Sequence, residues 1–162
     1  MARKLAAILA ADVLGYSRLM AVDETGTHAR LKALRQNIIE PKIAAHNGRI
    51  VKLAGDGALV EFGSVVDAVE CAAEVQRCIT ESEKHVPHDR CIAFRMGVNL
   101  GDIIIEGDDI YGDGVNVAAR LEQLAQPGGV CIARNVYNEV KNKIGLEFRP
   151  AGTHKLKKFP NL

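Results

Sequence analysis

Asp12 closes an apolar run in AILAADVLGYS, Asp56 sits in the turn of IVKLAGDGALVEF, and Asn116 and Arg120 lie four residues apart in DDIYGDGVNVAAR. Two carboxylates at the ends of adjacent strands can share a pair of divalent cations, and side chains four apart on a helix occupy one face. Together these are the parts needed for chemistry on a nucleoside triphosphate. No single segment is decisive; their order and spacing in one short chain make the sequence readable.

Each residue also has a plainer use. A carboxylate ending a buried strand is costly unless paired, and a divalent cation is an economical partner where a second carboxylate is near. Asp12 would serve equally as the cap of the following turn. The backbone of Gly15, Tyr16 and Ser17 can present amides to a phosphate. Asp56 belongs to an Asp-Gly pair, a preferred hairpin turn that needs no chemistry to explain it. Strand alternation sets Lys52 on the opposite face from Val51 and Leu53, where a solvated lysine is the ordinary reading. Asp109 reads as a loop carboxylate and Asp113 as a helix N-cap. Val117, Leu121 and Leu124 supply an apolar helix face, which leaves Asn116 and Arg120 on a polar surface or pointing into a cleft.

Other chemistries lack their signatures. His85 and His88 form an HxxH around Pro87 with no third ligand nearby. The stretch from Asp108 to Arg120 imitates a calcium loop, but Tyr111 and Arg120 stand where oxygen ligands are needed. There is no Walker A and no GxGxxG.

The elements that must position these residues follow from periodicity. Lys4 to Ala11 is short and continuously apolar, as for a strand buried on both faces. Leu31, Leu34, Ile38 and Ile43 keep helical spacing, and Pro41 should kink or break that helix. Arg49 to Leu53 and Ala58 to Phe62 flank Ala54-Gly55-Asp56-Gly57 as a hairpin. Ser64 caps a helix with an apolar stripe of Val69, Ala72, Ala73, Val75 and Ile79. Cys91 to Asn99 and Asp102 to Glu106 read as two strands turned at Leu100-Gly101. Gly114 to Ala125 is helical and stops at Pro127-Gly128-Gly129. A strand (Val130 to Ile132), a helix (Asn135 to Lys143) and a β-like piece around Leu156 follow. The order β-α-β-β-α-β predicts an α+β, ferredoxin-like core, with helices on a mainly antiparallel sheet and extra C-terminal strands and helices. In that topology the first strand and the hairpin lie side by side, so Asp12 and Asp56 can meet.

Composition narrows the partners. The 162 residues are 48% hydrophobic and 25% charged, which suits one compact domain over residues 1–162. A net charge of +1 with interspersed signs lacks the footprint of a nucleic-acid binder, and 4% aromatics with no Trp disfavours base stacking on the sheet. Cys71, Cys78, Cys91 and Cys131 have neither zinc nor disulfide-scaffold spacing and read as buried thiols in a reducing compartment. Arg3, Lys4 and LAAILAA imitate a secretion signal, but the apolar run is only about seven residues and Asp12 ends it. No apolar run approaches the about 18 residues of a membrane span. The expected location is the cytoplasm.

Taken together, ADVLGYS, KLAGDG, FRMGVNLG and DDIYGDGVNVAAR occur in an order that resembles the class III nucleotidyl cyclases, the adenylate and guanylate cyclase catalytic domain. The likeness runs from about Leu5 to about Lys158. The resemblance implies that Asp12 and Asp56 hold two Mg²⁺ or Mn²⁺ ions per site, that Lys52 and Asp109 recognise adenine, that Asn116 orients the ribose and that Arg120 stabilises charge at the α-phosphate. Lys157, with Lys155 and Lys158 as neighbours, resembles the lysine that binds the terminal phosphates. Guanylate cyclases typically carry Glu at the Lys52 position and Cys or another small residue at the Asp109 position, so this chain has the adenylate pair. The implied substrate is ATP and the implied assembly a head-to-tail homodimer whose two sites each draw on both subunits. The chain ends at Leu162, where the family pattern continues into a last apolar strand.

Overall fold

A computed structural model of the chain describes residues 2–54, 56–150 and 158–161. β1 (Ala2–Val13) is followed by α1 (Tyr16–Val22), α2 (Glu24–Leu34) and α3 (Glu40–Ala45), then by the hairpin β2 (Gly48–Ala54) and β3 (Gly57–Phe62). Next come α4 (Val65–Glu83), β4 (Phe94–Glu106), β5 (Asp109–Tyr111), α5 (Asp113–Leu124), β6 (Val130–Ala133), α6 (Arg134–Val140) and β7 (Lys158–Asn161). The sheet runs β2-β3-β1-β4-β6-β7, with β5 pairing β4 off this path. Every pairing is antiparallel except β4 with β6. The first four long strands have the ferredoxin-like order, as expected.

β1 is buried on both faces, which is why its middle is apolar without alternation. Ala7, Leu9, Ala11 and Val13 join the main core, and Ala6, Ile8 and Ala10 a smaller cluster with Ile103, Ile110 and Ala118. α4 supplies Val69, Ala72, Val75 and Ile79 to the main core, and Ser64 Oγ accepts from the Asp67 amide at 3.2 Å to cap it. Among the described residues no helix is long and apolar enough to cross a membrane.

One expectation fails for an identifiable reason, and another is met in a modified form. Leu100-Gly101 is not a turn: β4 runs unbroken through it, with Ala6 opposite Gly101 on β1. Glycine is needed at Gly97, and a side chain at Gly101 would be crowded, because α5 lies directly against the strand. A Cβ on Gly97 would come within 2.4 Å of the Glu122 amide, and one on Gly101 within 3.1 Å of the Gly114 Cα. Pro41 does not end the helical run, but the run is interrupted as an α-helix just before it, and Pro41 stands in the first turn of α3. A π-turn over Arg35–Ile39 joins α2 to α3, with the Glu40 amide bonded to the Arg35 carbonyl. The wider turn takes up the mismatch that a proline lacking an N–H imposes on the residues before it.

The cysteines divide. Cys71 and Cys131 are buried, whereas Cys78 and Cys91 are partly exposed, so "buried thiols" describes only half of them. Burial, reinforced by Glu74, pushes the Cys71 thiol up to about 12.

Candidate active site

Asp12 lies near the C-terminal end of β1, opposite Gly57 on β3 and Arg95 on β4. Ala54 pairs with Gly57, so Asp56 lies in the turn of the hairpin, and the Val13 amide donates to the Asp56 carbonyl at 2.7 Å. The two aspartates are therefore neighbours at one end of the sheet, as the strand order requires.

Asp12 is not alone. Arg95 donates to it through Nε at 3.4 Å and Nη2 at 3.3 Å, and the Gln123 amide donates at 3.3 Å. Glu122, 7% exposed on α5, lies 3.9 Å from the same guanidinium and also accepts from Gln123. Burial first, and then the negative charge of Asp12, raise the Glu122 carboxyl to about 7 against the pull of Arg95. Two carboxylates thus share one guanidinium, and the bonds from Arg95 to Asp12 are long.

This donor chemistry fits a hard cation. Carboxylate oxygens suit Mg²⁺ and Mn²⁺, which commonly take one or two carboxylates and complete their shells with water and substrate phosphates. Among the described residues no group of three or more His, Cys, Asp or Glu side chains is placed to hold an ion unaided.

A second cluster forms where β5 approaches β2. Lys52 Nζ lies 3.1 Å from Asp109 Oδ2 and 5.6 Å from the centre of the Tyr111 ring. The Ile110 amide donates to Asp109 Oδ1 at 2.8 Å, and Arg49 reaches the Asp108 carbonyl at 3.3 Å. Desolvation is the largest single influence and opposes ionisation of Asp109, but the neighbouring Tyr111 hydroxyl, the Ile110 amide and Lys52 together outweigh it and hold the carboxyl below its ordinary value.

The placement of Lys52 departs from simple alternation. The ladder slips between Ile50 and Lys52, so Val51 is the extra residue of a bulge and Lys52 pairs with Leu59. Val51 and Leu59 both pack on the smaller cluster, so Lys52 shares the face of Val51 and not, as alternation implies, the opposite one. Asp109 is likewise a strand residue and not a loop carboxylate.

Asn116 and Arg120 are both exposed on α5, and neither makes a hydrogen bond or ion pair among the described residues. The buried side of that helix is Gly114, Ala118, Leu121 and Glu122. Leu124 is 43% exposed and follows Arg120 by one turn, so it belongs to the exposed stripe and not to the apolar face. Gly112, at φ 110°, is the N-cap, and Asp113 is the first helical residue.

Gly15 adopts the left-handed conformation before α1. Ser17 is exposed, while Tyr16 is partly buried and packs on the main core. Lys157 and its alternative Lys155 lie outside the described residues; Lys158 pairs with Ala133 in β7.

Arg95, Glu122, Gln123 and Tyr111 escaped the sequence reading. Glu122 had a usable signal: it falls on the buried α5 stripe Ala118, Leu121, Glu122, Ala125, where a carboxylate needs a partner. Arg95 had a weaker one, as the only charge in β4 before Asp102.

The family described as the adenylate and guanylate cyclase catalytic domain matches residues 3–159. The protein named "Putative adenylate cyclase 3" of Rhizobium meliloti (strain 1021) is 52% identical over 155 residues, covering 96% of this chain and 26% of that protein. An adenylate cyclase of Streptomyces coelicolor is 28% identical over 123 residues, covering 75% of this chain and 30% of that protein. The crystal structure of an adenylate/guanylate cyclase/hydrolase from Silicibacter pomeroyi superposes with a TM-score of 0.93 at 39% identity, over 99% of this chain and 98% of that one. The chain thus spans about a quarter to a third of the length of these curated relatives.

Proposed function

Because the chain belongs to the adenylate and guanylate cyclase catalytic domain family, we propose that residues 1–162 form one catalytic unit that converts ATP to 3′,5′-cyclic AMP and pyrophosphate in the cytoplasm. The observation that carries the choice of base is the Lys52–Asp109 pair, 3.1 Å apart and open to solvent. Adenine presents an acceptor at N1 beside a donor at its exocyclic amine. A lysine and an aspartate side by side complement that edge. Guanine presents a donor and an acceptor in the reverse order and would meet like with like, leaving polar groups unpaired.

The remaining roles follow from the family resemblance. Asp12 and Asp56 would hold two Mg²⁺ or Mn²⁺ ions, which when bound supply neutralisation of the phosphates and acidify the ribose 3′-hydroxyl. Asn116 orients the ribose. Its 3′-oxygen attacks the α-phosphorus in line, the new P–O bond forms as the bond to the bridging oxygen breaks, and the hydroxyl proton passes to water. Arg120 stabilises the charge that develops at the α-phosphate. Lys157 and the Gly15–Ser17 backbone receive the terminal phosphates.

Among the described residues no hydrogen bond or ion pair joins the Asp12 cluster to Lys52, Asp109, Asn116 or Arg120. The family resemblance implies a head-to-tail homodimer in which the aspartates of one subunit work with the base, ribose and arginine side chains of its partner.

The test is product formation by the purified chain with ATP or GTP, with Mg²⁺ or Mn²⁺, at several protein concentrations. Cyclic AMP from ATP alone, with specific activity rising with concentration, is the expected result. Metal-dependent ATP binding without any cyclic product would instead make the chain a nucleotide-binding regulatory module, and cyclic GMP would overturn the base assignment.

A further inference from the structure

We propose that Arg49 is a positioning residue for base selection: braced on Glu61, it pins the turn that leads into Asp109 and so sets that carboxylate against Lys52. The proposal rests on the adenylate cyclase reading above, in which Lys52 and Asp109 read the base.

β5 is three residues long and is entered through the two-residue turn Gly107-Asp108. It pairs with β4 and, among the described residues, with no other strand. Its approach to β2 is therefore made by side chains. Ile110, 1% exposed, packs in the smaller cluster to which Val51 belongs, Lys52 meets Asp109, and Arg49 Nη1 donates to the Asp108 carbonyl at 3.3 Å. That last bond falls on the residue immediately before Asp109. A turn is the least restrained part of a hairpin, so holding this carbonyl limits where the Asp109 carboxylate can go.

Arg49 is itself held. It stands opposite Glu61 in the β2–β3 ladder, and its Nε and Nη2 both donate to Glu61 Oε1, at 3.2 and 2.7 Å. Glu61 is 7% exposed, and Lys4 on β1 lies 2.6 Å from its other oxygen. Burial opposes ionisation of this carboxyl, but Lys4 and Arg49 outweigh it and hold it below its ordinary value. A guanidinium is a planar fork with donors in fixed directions, so two nitrogens anchored on Glu61 aim the third at the Asp108 carbonyl. Lys4 alone would neutralise Glu61, and a lysine in place of Arg49 would satisfy the same oxygen without reaching the turn. The bulge at Val51 puts Lys52 on the face that Arg49 occupies, so one strand presents both the lysine and the brace for its partner.

The experiment measures dissociation constants of 3′-deoxy-ATP and 3′-deoxy-GTP, which lack the attacking hydroxyl, in the presence of Mn²⁺. The proteins are wild type, Arg49→Ala, Arg49→Lys, Asp109→Ala and the Arg49→Ala/Asp109→Ala double variant, with melting temperatures and dimer content recorded for each. Arg49→Ala should weaken the adenine nucleotide about 3–10-fold, the range for one net hydrogen bond, and change the guanine nucleotide by less than about twofold. Arg49→Lys keeps the charge but loses the fork, so it should lose the same preference while melting near the wild-type temperature. In the Asp109→Ala background, Arg49→Ala should leave the ratio of the two constants unchanged. Equal weakening of both nucleotides, full preference in Arg49→Lys, or the same loss of preference without Asp109 would each overturn the role of Arg49. A wild type that binds both nucleotides alike rejects the base assignment and the brace with it, whereas a wild-type preference that both Arg49 variants keep rejects the brace alone.

Discussion

The Asp12 corner and the Lys52–Asp109 edge are built on the same sheet but hold their charge in opposite ways. At the corner two carboxylates, with side chains 20% and 9% exposed, share one guanidinium, so negative charge is in excess, and burial first and then the charge of Asp12 push Glu122 up to about 7. At the edge one ammonium meets one carboxylate, 54% and 27% exposed, and the charges balance. An excess of negative charge at modest burial calls for a cation. A balanced and solvated pair has little electrostatic drive of its own and is worth little to stability, but it offers a donor and an acceptor in fixed order. The same backbone thus presents a place for metal and a place for a base, with chemistry following only when the two are joined.

The largest expected effect tests that joining. Arg120→Ala should lower turnover by about 10²–10⁵, the range for arginines that stabilise phosphoryl-transfer charge. Because Arg120 is exposed and unpartnered among the described residues, thermal unfolding should stay within about 0.5 kcal/mol of wild type. A steady-state loss below about threefold would remove Arg120 from the mechanism.

Inverting the balanced edge comes next. Lys52→Glu with Asp109→Cys should reverse the donor and acceptor order and shift the ratio of kcat/KM for ATP over GTP by about 10²-fold or more toward GTP. An unchanged ratio would mean that the base is read elsewhere.

Mixing inactive Asp12→Ala and Arg120→Ala chains asks whether corner and edge cooperate across subunits. Random pairing makes about half the dimers mixed, and one of the two sites in each is intact, so activity should return to about a quarter of wild type. No recovery, with mixed dimers shown to form, would place both halves of the site in one chain.

The smallest effect concerns the corner by itself. The folded-state pKa of Glu122 is raised, so the native state holds a proton that the unfolded state has released between pH 4.5 and about 7. This group therefore favours folding most below pH 4.5, and the benefit is lost as pH rises to about 7. Glu122→Gln should flatten that fall, gaining about 1 kcal/mol relative to wild type at pH 8 compared with pH 5 in chelator-treated samples. Denaturant unfolding at the two pH values checks it, and parallel curves would show that Glu122 titrates normally.

What could be read in advance was local. Apolar continuity placed β1, the Asp-Gly pair placed the hairpin, Ser64 placed a cap, and four short motifs in order pointed to the family. The errors came where a local cue had a distant cause. Gly101 looked like a turn because a glycine gives no sign of whether it bends the chain or admits a helix, and only α5 resolves that. Asp109 read as a loop residue because a three-residue strand has no periodicity to detect, and its pairing with Glu106 on β4 makes it one. The bulge at Val51 reverses the facing expected for Lys52, and Leu124 continues an apolar rhythm yet follows the exposed stripe.

By itself the sequence determined most of the strands and helices, though not the length of β4 or the existence of β5, and which side chains are available, because turn chemistry and hydrophobic period act over a few residues. Tertiary structure alone decided which charges meet. Arg95 reaches Asp12 across 83 residues, and Gln123 reaches it across 111, because β4 runs beside β1 and α5 lies against glycines on β4. Neither partner can be read from spacing, since strand order and helix packing, which set those distances, are satisfied only when the whole sheet is assembled.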